Sequence, residues 1–296
     1  MKNQKNTNYI NGPLDLKNIF NNFRIHSINE LENIIEPIQM LKNSSNLQWH
    51  ECYRGQGFNK WKLEPWLTRE IKDESTLIKM EIELHEKFKQ LHNSEFDEHI
   101  SSRKTSGFNT KFEVDWFELF QMQHLGFMTR LLDWSIDWKT ALYFSVSNSR
   151  YDGIDGQFWV FFQPEEFTHN FMEYMLKAPP RYLNINPYEL QDTMIINPPF
   201  YPKDGDKKVL GENRRLVQSG RFLIQPHKDS ATPLEAQINI NNCLIKIIID
   251  GVSKVRLRKA LNDIGYTKER IYARQTDDLT KKIQKINEEV LNKYKL

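Results

Sequence analysis

The chain has 296 residues, 39% of them hydrophobic and 12% aromatic, enough to bury a sizeable core and too many for a disordered polymer. Its 41 Lys and Arg nearly cancel 39 Asp and Glu, leaving a dispersed net charge of +2 that argues against the basic face of a nucleic-acid binder. No apolar run approaches the roughly 18 residues of a membrane span, and the polar start MKNQKNTNYINGPLDLKN lacks a signal peptide's apolar stretch, so a soluble cytoplasmic protein is expected.

Residues 1–26 read as a polar tail and 27–280 as one domain, with an amphipathic helix at 281–296 packed on it. SINELENIIEPIQMLKN, from Ser27, has apolar positions at helical spacing interrupted by Pro37. Residues 47–54 then suggest a strand that delivers Arg54 into a glycine turn. STLIKMEIELHEKFKQLH predicts a helix with Leu77, Met80, Leu84, Phe88 and Leu91 on one face. A polar excursion at 94–111 precedes a second helix, DWFELFQMQHLG, expected to end on the glycine cap Gly126. TRLLDWS forms the connection to a third helix at Trp138–Ser147. GQFWVFF has strand composition, as do RRLVQSGRFLI and CLIKIIID. VRLRKALNDIG is a short helix, and LTKKIQKINEEVLNKYKL aligns Leu279, Ile283, Ile286, Val290 and Tyr294. Between these, 164–210 is irregular, with paired prolines, and has the length of a functional loop. Early helices and later strands without a βαβ rhythm favour an α+β fold, with an N-terminal helical portion and a mainly antiparallel sheet. Cys52 and Cys243 are expected as two buried reduced thiols.

The densest polar signal is QMQHLGFMTRLLDWSIDWKTALYFSV, residues 121–146. Packing accounts for Leu131, Leu132 and Trp134 but not for His124, Arg130 and Asp133 among them. A buried charge needs a partner, which makes an Arg130–Asp133 pair the plain structural account. Asp133 or Ser135 also suits the cap of the following helix. The eight histidines show no HxxxH or HExxH spacing, and GxSxG, GxGxxG and Walker loops are missing, so no metal site, serine-hydrolase elbow or dinucleotide loop is expected.

YRGQ at 53–56, QHLGFMTRLLDWS, ALYFSV and RRLVQSGRF together resemble the FRG domain, named for its Phe/Tyr-Arg-Gly motif, over about residues 30–280. IYARQTDDL at 271–279 departs from that family's closing segment. The order of the blocks is also similar to ADP-ribosyltransferases of the diphtheria- and cholera-toxin types. That second resemblance implies an ADP-ribosyltransferase-like fold, with Arg54 as the first-strand arginine and Thr129 in the second block. Gln218 stands where those enzymes place a glutamate. A neutral amide gives far less help than a carboxylate to the positive charge that develops as nicotinamide leaves, and Glu212 is the nearest substitute.

These resemblances imply an enzyme that binds NAD as substrate and transfers ADP-ribose to an unknown macromolecule or cleaves NAD, in bacterial or phage conflict as a toxin or defence effector. Arg54, Gln218 and Thr129 would be catalytic. Tyr53, Gly55, Gln56, His124, Arg130, Asp133 and Ser135 would line the ligand cleft, with Trp61, Trp66 and Trp134 as walls or core. The planar guanidinium of Arg54 suits bidentate contact with pyrophosphate oxygens, and Gly55 would let the ligand approach the backbone. A structural Arg54–Asp133 anchor is the bland counterpart. The alternative function is a non-catalytic module that recognises a nucleotide, nucleic acid or peptide. Nucleic-acid engagement through the C-terminal lysines is the least favoured, since they suit a solvated helix face.

Overall fold

The computed structural model describes residues 13–44, 50–95, 110–163, 168–169, 181–196, 220–272 and 277–295. Its first half contains α1 (Pro13–Phe20), β1 (Phe23–Ile25), α2 (Ile28–Ser44), β2 (His50–Gln56), α3 (Glu74–Glu95), α4 (Glu113–Leu125), β3 (Leu131–Ser135) and α5 (Trp138–Val146). Then come β4 (Gly156–Gln163), β5 (Thr168–His169), β6 (Met194–Ile196), β7 (Gly220–Ile224), α6 (His227–Ser230), α7 (Ile238–Asn241), β8 (Leu244–Ile249), α8 (Lys254–Asp263), α9 (Lys268–Ile271) and α10 (Asp277–Tyr294). The fold is mixed α and β with mainly antiparallel pairing, as the element pattern predicted.

Two of the boundaries differ from the sequence reading. Residues 13–25 of the supposed tail form α1 and β1, because β1 gains its hydrogen bonds from a parallel partner, β8, more than 200 residues away. TRLLDWS is strand β3 and not a bare connection, and its burial pattern leaves Asp133 exposed between buried neighbours. Pro37 lies inside α2 without ending it.

The chain divides into two compact units where the sequence suggested one domain. The first comprises Met1–Trp61, Ser135–Glu165 and Glu235–Thr267. Its strands run β1-β8-β4-β2, with β8–β4 and β4–β2 antiparallel and β1–β8 parallel. Side chains alternate across such a sheet, so cross-strand partners share a face. One face carries the cross-strand rows Tyr53–Val160–Ile245 and Gly55–Phe158–Ile247. Helix α5 packs against it, with the Tyr53 and Phe158 ring centroids 5.8 Å apart. Asp137 caps α5 by accepting the Lys139 amide at 3.0 Å and the Thr140 hydroxyl at 2.8 Å, the role expected of Asp133 or Ser135. Ser135 instead closes a local turn, its hydroxyl accepting from the Asp137 amide. Cys52 is buried and Cys243 half-buried, both as free thiols.

The second unit comprises Lys62–Trp134, Glu166–Leu234 and Lys268–Leu296. Helices α3, α4 and α10 supply its apolar core, with Leu77, Met80, Leu84, Phe88, Trp116, Phe120, Ile283 and Val290 all buried. The predicted stripe on α10 packs as expected: Leu279 is buried, and Ile286 and Tyr294 are partly so. β6 pairs antiparallel with β7 and parallel with β5. Gly126 ends α4 in the left-handed region at φ 95°, where its amide donates to the Met122 and Gln123 carbonyls.

Candidate functional site

Strand alternation splits the YRGQ motif. Tyr53 and Gly55 turn toward α5, whereas Arg54 and Gln56 share the opposite face of β2. That assigns Gly55 a packing role in place of the expected ligand approach. A Cβ at this position would lie 1.8 Å from the Ala141 carbonyl oxygen, so only glycine lets α5 sit this close.

The Arg54 face is a polar row across three strands. Arg54 pairs with Trp159, and Trp159 pairs with Lys246, so the indole lies between two half-buried cations. The Lys246 ammonium is 5.5 Å from the Trp159 ring centroid and donates to the Asn59 carbonyl at 3.0 Å. Burial pushes its pKa below the usual lysine value, with Glu235 opposing that shift. In the adjacent row, buried Gln157 donates from Nε2 to Gln56 Oε1 at 2.6 Å. Two buried atoms on this face, Trp159 Nε1 and Gln157 Oε1, have no hydrogen-bond partner among the described residues. Buried polar groups are nearly always satisfied, so an unmet donor and an unmet acceptor on one face call for an explanation such as a ligand or ordered water.

The first unit closes around this strand end through buried Lys254 of α8. Its Nζ donates to the carbonyls of Gly57, at 2.5 Å, and Tyr151, at 3.1 Å. Desolvation lowers its pKa, while Asp152 and Asp155 oppose the shift. Trp61 is exposed at the edge of this region, its ring 5.1 Å from that of Tyr151 in an edge contact.

Apart from Ser135, the remaining expected site residues belong to the second unit, where structural roles occupy several of them. Arg130 is fully buried and all its nitrogens are engaged: Nε with Glu81 at 2.9 and 3.0 Å, and the two terminal nitrogens with the carbonyls of Gln225 and Pro187 at 2.5 and 2.6 Å. The expected Arg130–Asp133 pair is therefore replaced by Arg130–Glu81. Arg130 precedes β3 and is fully buried, whereas Asp133 within β3 is exposed. Asp133 accepts from Gln123 Nε2 at 2.6 Å and lies within electrostatic reach of Arg69, whose own pKa is lowered chiefly by burial. The Thr129 hydroxyl donates to Gln123 Oε1 and accepts from the Leu131 amide, a turn arrangement. His124 is buried with its ring against Phe222, centroids 5.5 Å apart. Of the two further tryptophans, Trp134 is core and Trp66 is exposed.

His227 Nε2 meets the second Glu81 oxygen at 2.7 Å, so one buried carboxylate serves two basic groups. Nearby, the Tyr188 hydroxyl is 3.0 Å from His85 Nδ1, and His85 Nε2 contacts Glu118. Gln218, Glu212 and most of 164–210 lie outside the described residues. No group of three His, Cys, Asp or Glu is placed to hold a metal ion among the described residues, and none of their helices is long and apolar enough to cross a membrane.

The geometry joins the arginine of YRGQ to a strand face, and the TRLLDWS block to a buried ion network. Both motifs lie within one family match. Residues 50–153 match the model of the FRG domain. The matched segment runs from the start of β2 to the turn before β4 and holds YRGQ, QHLGFMTRLLDWS and ALYFSV. It is shorter than the span suggested by the motifs, and RRLVQSGRF lies beyond it. No curated protein and no solved structure matches the chain.

Sequence reasoning missed Trp159, Lys246 and Gln157 as site residues. A signal for Gln157 was present: in GQFWVFF it is a polar residue within a strand that is apolar on both faces.

Proposed function

We propose that the β2-β4-β8 face behind the FRG motif is a binding site for a nucleotide, and that the protein acts through it as a recognition module. The carrying observation is Trp159 Nε1, a buried donor without a partner among the described residues, set in register between Arg54 and Lys246. Two cations and a neutral N–H donor in one cross-strand row suit the oxygens of a phosphate or pyrophosphate. The adjacent Gln56–Gln157 row adds amide chemistry suited to a base or ribose.

Binding is favoured over ADP-ribose transfer by what the second block does. Arg130 is saturated by Glu81 and two carbonyls, and the Thr129 hydroxyl is held by Gln123, so neither suits direct work on a substrate. Calorimetric titration with ADP, NAD+ and adenosine tests the module. ADP or NAD+ should bind, adenosine more weakly, and Trp159→Phe and Arg54→Ala should each cost roughly tenfold or more, the scale of a hydrogen bond to a charged group. Failure of every phosphate-bearing ligand to bind, or affinity unchanged in both variants, would overturn the proposal. Nicotinamide release from labelled NAD+ that is lost in Arg54→Ala would restore the enzyme.

A further inference from the structure

We infer that Gln157 reads an N–H group on the base of the bound nucleotide, which rests on the binding site proposed above and adds a specificity element to it. Gln157 is fully buried in β4. Its Nε2 donates to Gln56 Oε1 at 2.6 Å and to the Trp61 carbonyl at 2.5 Å. The second of these fixes the amide. A backbone carbonyl only accepts, so turning the amide over would set oxygen against oxygen. The group left facing no donor among the described residues is thus the Gln157 oxygen and not the nitrogen.

Its placement ties that oxygen to the ligand row. Gln157 and Trp159 are two apart on one strand and so share a face, and Gln56↔Gln157 is the second row from Arg54↔Trp159 in the β2–β4 ladder. The spacing of alternate residues along a strand, about 7 Å, separates the cationic row from the amide row. A ligand whose phosphate lies against Arg54, Trp159 and Lys246 then has a neighbouring part within reach of Gln157. The complement of a carbonyl acceptor is an N–H donor, supplied by the exocyclic amino group of adenine, cytosine or guanine or by the ring imide of uracil. Inorganic pyrophosphate has no such group. The amide row therefore distinguishes a nucleotide from a bare polyphosphate, and Gln157 is a specificity-determining residue.

Editing the ligand tests this without disturbing the fold. Wild-type protein is titrated with ADP and its 6-desamino purine analogue, with UDP and its N3-methyl analogue, and with inorganic pyrophosphate. Whichever nucleotide binds should lose about tenfold in affinity when its N–H is removed, and pyrophosphate should bind no better than the edited nucleotide. In Gln157→Leu the edited and natural ligands should bind alike, a ratio that general weakening of the site does not alter. Equal affinity for natural and edited nucleotides in the wild type overturns this inference and leaves the binding site standing. Loss of all nucleotide binding overturns the site itself, and this inference with it.

Discussion

Replacing Gly55 by alanine tests the claim that the glycine of the YRGQ motif serves helix packing. The added Cβ would fall 1.8 Å from the Ala141 carbonyl oxygen, 2.5 Å from Ser145 Oγ and 2.8 Å from the Ala141 carbonyl carbon. Ordinary contact begins near 3.5 Å, so α5 or β2 must move by roughly 1.5 Å. The obstacle is backbone, and rotamer changes cannot relieve it. Helix α5 is also tied to the sheet, since the buried Ser145 hydroxyl donates to the Gln157 carbonyl at 3.0 Å. Overpacking costs about 1–3 kcal/mol and occasionally more, and a backbone clash of this depth belongs at the upper end, near 3 kcal/mol. With a urea slope of about 3 kcal/mol per molar, the midpoint should fall by about 1 M at constant slope. Gly57→Ala is the control, because its Cβ would come no closer than 3.4 Å to the Tyr151 ring, an ordinary contact. The readout is urea unfolding followed by far-UV circular dichroism. A Gly55→Ala midpoint indistinguishable from that of Gly57→Ala would refute the packing account and return the glycine to the ligand.

Glu81→Gln should destabilise the protein by about 3–5 kcal/mol in denaturant titration, because it leaves the enclosed Arg130 guanidinium without its counter-charge. The same carboxylate predicts acid sensitivity. Burial raises the Glu81 pKa, but Arg130 and His227 outweigh that effect and the net shift is downward. A carboxyl with a depressed folded-state pKa contributes stability above its unfolded value, about 4.3, and loses it as pH falls toward the folded value. Wild-type stability should therefore drop below about pH 4.3 more steeply than that of Glu81→Gln, and parallel pH profiles would count against the network. Asn287 of α10 bridges the α4 end, donating to the Gly126 carbonyl at 2.8 Å and accepting the buried Met128 amide at 3.1 Å. Asn287→Ala should cost about 1–3 kcal/mol and speed hydrogen exchange at the Met128 amide; unchanged protection there would show that the bridge is not made in solution.

The sequence yielded features whose causes are local and concealed those that depend on distant partners. Helices α3, α8 and α10 were legible because a buried stripe recurs every three or four residues regardless of what covers it. The Gly126 cap and strands β4 and β8 were legible through residue type alone. Strand β1 was not, since Phe23–Ile25 is three residues long and is stabilised by β8, and no local pattern announces that pairing. The Arg130–Asp133 assignment failed for a related reason: nearness in sequence stood in for nearness in space, and the carboxylate that meets Arg130 comes from α3, 49 residues away. The correct partner had left a trace. Glu81 lies four residues after Leu77 and three before Leu84, within the apolar stripe of α3, where a carboxylate can be buried only beside a cation. Gln157 belongs to the same class, an amide in a strand otherwise apolar on both faces. One of these two intruders is satisfied by Arg130 and His227, and the other retains an unmet oxygen among the described residues. A polar residue at a position that the pattern reserves for packing thus marks either a closed structural network or an open site, and only its three-dimensional partners separate the two. By that criterion Glu81 and Arg130 belong to the scaffold, and Gln157 and Trp159 to the proposed site.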